Sequence, residues 1–151
     1  MDAIKNQILD NEGASEIDVI SMTIPSRPEY VGVIRLTVSA IANRIGFNIE
    51  DIEDIKVAVA EACTNAIQHS YNDESNFYVA FEIGIDSLGV IVRDDGKGIK
   101  VEDVKEPQLG ELKEGGLGIF IIKSLMDEVS FSCEIEKGTE IKMVKFLHEN
   151  Y

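Results

Sequence analysis

The chain has 151 residues, enough for a single domain that buries roughly two thirds of its unfolded surface. With 44% hydrophobic residues, no Trp and few aromatics, its composition is that of a soluble globular protein rather than a disordered or membrane one. Its 28 acidic against 14 basic residues leave a formal net charge of −14, which repels phosphate backbones, argues against direct nucleic-acid binding and favours basic protein partners.

Two cysteines, Cys63 and Cys133, lie far apart in apolar runs and read as reduced core thiols rather than a disulfide or a metal site. The N-terminus has no basic start followed by an apolar run, and no apolar segment approaches the ~18 residues needed to span a bilayer. The expectation is a cytoplasmic protein without membrane attachment.

Residues 1–15 are polar and without a sustained period, and read as a flexible leader to a single domain over residues 16–151. "IDVISMTIP" alternates in the manner of a strand, with Asp18, Ile20, Met22 and Ile24 as the more apolar set, and Pro25 stops it at a sheet edge. A helix follows, with Ser26 as N-cap, Val31, Ile34, Val38, Ile41 and Ile45 at three-and-four spacing, and Gly46 at its end. A longer helix starts after Asn48, with acidic residues in its first turns and an apolar stripe of Ile52, Ile55, Val59, Ala62 and Ala66. "NFYVAFEIGID" and "GVIVRDD" form a hairpin turning near residues 87–89. From Gly96 onward glycines and charges concentrate in a long loop. "GIFIIKSLMDEV" is apolar around much of its girth and is expected to be a well-buried helix, and two strands close the chain around Gly138. This order points to an α+β fold, with helices layered on one face of a mixed, mainly antiparallel sheet.

Three stretches have the makings of a site. On the long helix Glu61, Asn65 and His69 stand four residues apart, a stripe drifting roughly 40° per step. Their neighbours Ala58, Ala62, Cys63, Ala66 and Ile67 are small or apolar, so the stripe resembles a cleft wall more than a solvated face. In "VRDDGKGI" a strand ends at Asp94, beside glycines that permit close backbone approach to a ligand. "EGGLGIF" sets glycines before a helix, where free amides and the positive helix terminus favour an anion. Neither a Walker loop nor the dinucleotide fingerprint is present.

Taken in this order, "EACTN", "DDGKG", "GGLG" and "GTEIKM" resemble the N box, G1 box, G2 box and late strand of the GHKL ATPase superfamily. The wording "EACTNAIQHSY" and "GGLGIFIIKSLMDEV" is similar to the bacterial anti-sigma factor serine kinases of the RsbW and SpoIIAB type. The resemblance covers roughly residues 17–146 and leans towards RsbW through "IRLTVSAI" and "SLMDEV".

It implies that Glu61 is the general base, that Asn65 coordinates Mg2+, and that Asp94 accepts a hydrogen bond from the adenine amino group of ATP with Thr139 beside it. Gly96 and Gly98 would let the chain pack on the nucleotide, and Gly116 and Gly118 would present amides to its phosphates. Family members often carry an Arg just before the lid glycines. Here Lys113 stands nearest, a point charge without the bidentate fork.

The same resemblance implies a protein serine/threonine kinase that phosphorylates a STAS-type anti-anti-sigma protein, sequesters an alternative sigma factor, and forms a homodimer. A switch kinase acting elsewhere in such a pathway, or a nucleotide-dependent binding module without catalysis, are the alternatives. A sensor histidine kinase is disfavoured, since His69 and His148 are the only histidines and no helical hairpin bearing a phosphoacceptor precedes the domain. His69 reads as a structural hydrogen-bonder.

Overall fold

The computed structural model describes residues 16–69, 74–95, 114–134 and 138–148. The elements run β1 (Asp18–Pro25), a 3-10 turn (Pro28–Tyr30), α1 (Val31–Ile45), α2 (Ile49–Gln68), β2 (Asn76–Ile83), β3 (Ser87–Asp94), α3 (Glu114–Leu125), β4 (Glu128–Glu134) and β5 (Gly138–Phe146). The leader expected over residues 1–15 lies outside the described residues.

The strands form one five-stranded sheet in the order β1-β2-β3-β5-β4. The expected mixed sheet is, among the described strands, antiparallel at every pairing. The reason lies in the connections: the β2–β3 and β4–β5 pairs are hairpins, and β5 runs back between β3 and β4. β1 occupies one edge, as its Pro25 stop suggested, and β4 the other.

Strand alternation divides the sheet into two faces. One face carries rows such as Phe81, Val90 and Met143, and below it Met22, Val79, Val92 and Ile141. These join Ile34 and Val38 of α1, Ile55, Val59 and Ala62 of α2 and Ile122 of α3 in a continuous core. Phe77 and Phe81 are fully enclosed there, each worth roughly 2–3 kcal/mol of apolar burial. The open face is polar at its rim: the Arg93 guanidinium lies 5.2 Å from the Tyr78 ring centre, and Lys142 pairs with Glu82 at 3.0 Å.

Helix boundaries follow local chemistry at most ends. Asn48 caps α2, its side chain accepting from the Asp51 amide at 2.8 Å. Gly46 ends α1 at φ 113°, a conformation costly for any residue with a Cβ.

Four expectations need correction. Ser26 caps nothing: its Oγ is buried with no hydrogen-bond partner among the described residues, while its amide donates to Ser75 O, because Pro28 opens a 3-10 turn ahead of α1. The β2–β3 turn falls earlier than expected, at Ile85 and Asp86, where Gly84 donates to Ser87 O, and residues 87–89 are already strand. α3 begins at Glu114, so its glycines lie within the helix rather than before it. Nor is α3 buried all round: Ile122 is enclosed, but Leu117 and Phe120 are 51% and 53% exposed.

Candidate active site

α2 lies over the core face of the sheet and packs against α3, and its polar stripe points into the seam. Asn65 is 5% exposed, a degree of burial unusual for an amide, and Glu61 one turn earlier is half-buried. Thr64 and Gln68, off the stripe, face solvent. The opposing surface is Gly118. A methyl group built there would lie 3.0 Å from Glu61 Oε2 and 3.5 Å from both polar atoms of the Asn65 amide. The backbone of α3 thus comes up against Glu61 and Asn65 because residue 118 has no side chain.

The second cluster lies where β3 ends. Asp94 pairs with Phe77 in a core-face row, and it is buried. Its Oδ1 accepts from the Thr139 amide at 3.1 Å, which β5 delivers because it pairs with β3 out to Arg93 and Glu140. Its Oδ2 stands 3.4 Å from His69 Nδ1. Thr139 Oγ1 in turn donates to Cys133 Sγ at 3.6 Å. Eight residues between Glu61 and His69 correspond to about 12 Å of helical rise, so α2 carries one cluster in its C-terminal half and reaches the other with its C-cap His69.

Of the sequence-derived candidates, the structure brings Glu61, Asn65 and Gly118 together, and separately Asp94 and Thr139. Gly116 is the third residue of α3, among the early amides that lack an intrahelical acceptor. Gly118 comes later, where the helix uses its own amides, so its contribution is the space it leaves rather than a free N–H. Gly96, Gly98 and Lys113 lie outside the described residues. The expectation that His69 is a structural hydrogen-bonder is met, but sequence reasoning did not name Asp94 as its partner and missed Cys133 beside Thr139. For His69 the signal was there in its four-residue spacing from Asn65; for Cys133 nothing local announced it.

Cys63 shares the helix but not the site. It is fully buried, and desolvation pushes its thiol up to about 12, so it has no nucleophilic thiolate to offer. Both cysteines are free, but the expectation of core thiols holds for Cys63 alone, since Cys133 near the end of the edge strand β4 is only half-buried. Among the described residues no group of three or more His, Cys, Asp or Glu side chains could hold a metal by itself. An ion here would take its oxygens from Asn65, from a bound phosphate and from water, a donor set that suits Mg2+. No helix among the described residues is long and apolar enough to cross a membrane.

Comparison with known proteins gives the family of the chain. The model of the histidine kinase-like ATPase domain matches residues 24–145. The chain is 44% identical over 146 residues to the serine-protein kinase RsbW of Bacillus velezensis, covering 89% of each protein. It is 43% identical over 142 residues to the RsbW of Bacillus subtilis, covering 87% of each. A crystal structure of the RsbU and RsbW domains of a Mycobacterium tuberculosis protein superposes with a TM-score of 0.64 at 19% identity, over 86% of this chain and 32% of that one, a likeness of fold. The chain belongs to the histidine kinase-like ATPase family, in the branch of the RsbW serine-protein kinases. As a kinase of this family it uses ATP.

Proposed function

We propose that this protein is an anti-sigma factor with ATP-dependent serine kinase activity. It binds an alternative sigma factor and phosphorylates a serine of that factor's STAS-type anti-anti-sigma antagonist, so that the phosphorylation state of the antagonist sets how much sigma factor is free. The observation that carries the reading is the placement of half-buried Glu61 one turn from buried Asn65, both against Gly118, with Asp94 at the far end of the same helix.

Phosphoryl transfer asks mainly for positioning, charge neutralisation and a proton acceptor. Glu61 takes the proton of the attacking serine hydroxyl as the oxygen bonds to the γ-phosphorus and ADP leaves. Asn65 would hold Mg2+, which when bound neutralises charge on the phosphate oxygens. Asp94 accepts from the adenine amino group, with Thr139 beside it, and Gly116 offers an early helix amide to a phosphate. Gly96 and Gly98 against the nucleotide, and Lys113 at the phosphates, complete the assignment by resemblance.

The protein acts in the cytoplasm as a homodimer. Among the described strands β1 is an edge of the sheet, and its exposed apolar residues Val19 and Ile20 suit pairing with a second copy.

The deciding experiment incubates the protein with ATP, Mg2+ and the candidate antagonist, and locates phosphoserine by mass spectrometry. Glu61→Ala is expected to abolish transfer while leaving nucleotide binding intact. Transfer to threonine would correct the acceptor, and retained transfer would remove Glu61 from the mechanism.

A further inference from the structure

The contact between His69 and Asp94 has no part in the roles assigned above. We infer that His69 is a positioning residue that fixes the plane of the Asp94 carboxylate and thereby sets the preference of the site for adenine over guanine; the inference rests on Asp94 being the adenine acceptor.

A carboxylate at the end of an Asp side chain rotates in a broad, twofold torsional well. The Thr139 amide at 3.1 Å holds Oδ1, and a single such contact by itself permits rotation about it. A second donor on the other oxygen removes that freedom. His69 Nδ1, 3.4 Å from Oδ2, supplies it in any state that carries a proton on Nδ1. Among the described residues these donors come from different elements, the start of β5 and the end of α2, so they brace the carboxylate from two sides.

His69 is itself anchored as the C-cap of α2, its amide donating to Asn65 O at 3.0 Å. Direct binding of phosphate by this ring is disfavoured, because the C-terminal end of a helix carries partial negative charge. The base edge supplies the specificity argument: adenine presents an amino donor where guanine presents a carbonyl acceptor, and a fixed carboxylate accepts from the first and repels the second.

The test is calorimetric titration of the full chain with AMP, ADP, ATP and GTP. His69→Ala should weaken ATP by about tenfold and shrink the ATP-over-GTP preference by a similar factor. The loss should be equal for AMP, ADP and ATP. His69→Asn, whose amide nitrogen takes the place of Nδ1, should recover affinity to within about threefold of the parent.

Unchanged affinity and preference in His69→Ala would overturn the assignment. So would a His69→Asn variant no better than His69→Ala, or a loss that grows with phosphate number. Asp94→Asn serves as the control: if it leaves the adenine preference untouched, the adenine role of Asp94 falls and this inference with it. Weakening by Asp94→Asn without weakening by His69→Ala overturns only the role of His69.

Discussion

Gly118 and Glu61 are 57 residues apart in the chain, yet a methyl group on the first would sit 3.0 Å from Oε2 of the second. Gly118→Ala therefore separates stability from activity. Alanine in a helix interior is favoured over glycine by about 1 kcal/mol, and a carboxylate on a flexible side chain can yield a few tenths of an ångström. Denaturant melts should find the variant as stable as the parent or up to about 1 kcal/mol more so. Phosphotransfer should fall by about ten- to a hundredfold, because the displaced carboxylate no longer meets the acceptor hydroxyl. Equal loss of stability and activity would mean that the seam between α2 and α3 cannot absorb the methyl group.

Burial of Cys63 makes stability fall in alkali. Its folded value is raised from the ordinary 9.0 to about 12, so the unfolded chain gives up this proton first. The contribution is complete below pH 9 and is lost as pH rises towards 12, with a slope of about 1.4 kcal/mol per pH unit from this group. Cys63→Ala should remove that slope while lowering stability at neutral pH through lost packing. Urea titrations at pH 8 and pH 10 on both proteins check it. In the folded protein a thiol reagent at pH 8 should label Cys133 well before Cys63.

Lys145 ties the last strand to the end of α3. Its chain lies on the core face of β5, 8% exposed, and its ammonium donates to Leu125 O at 2.7 Å, among the carbonyls a helix end leaves unpaired. Lys145→Met keeps the apolar stem and removes the donor and its charge. A loss of about 1–3 kcal/mol is expected, read as a lower denaturant midpoint at unchanged slope.

Ser26 offers the opposite case. Its hydroxyl is buried without a partner among the described residues, so folding strips it of water and returns nothing. Ser26→Ala should be neutral or stabilising by up to about 1 kcal/mol. A loss above about 1 kcal/mol in thermal or denaturant unfolding would reveal a partner for the hydroxyl.

Much of this molecule was legible in local pattern. The three-and-four spacing of Ile55, Val59, Ala62 and Ala66 marks a buried stripe, and Asn48 and Gly46 mark helix ends, because caps and amphipathic periods are set by residues within a few positions of each other. The same spacing put Glu61, Asn65 and His69 on one line. What periodicity leaves open is which strand lies beside which, and where a seam closes.

Thr139 donates to Asp94 across 45 positions only because β5 inserts between β3 and β4. The β2–β3 turn is likewise tied to a distant segment, the Leu147 amide donating to Asp86 O at 2.7 Å. The sequence by itself determined the elements and one wall of the site, since these rest on short-range hydrogen bonds and side-chain period. Only the tertiary structure decided that Gly118 closes on Glu61 and that His69 reaches Asp94, since such contacts depend on sheet order and helix packing, which no local pattern encodes.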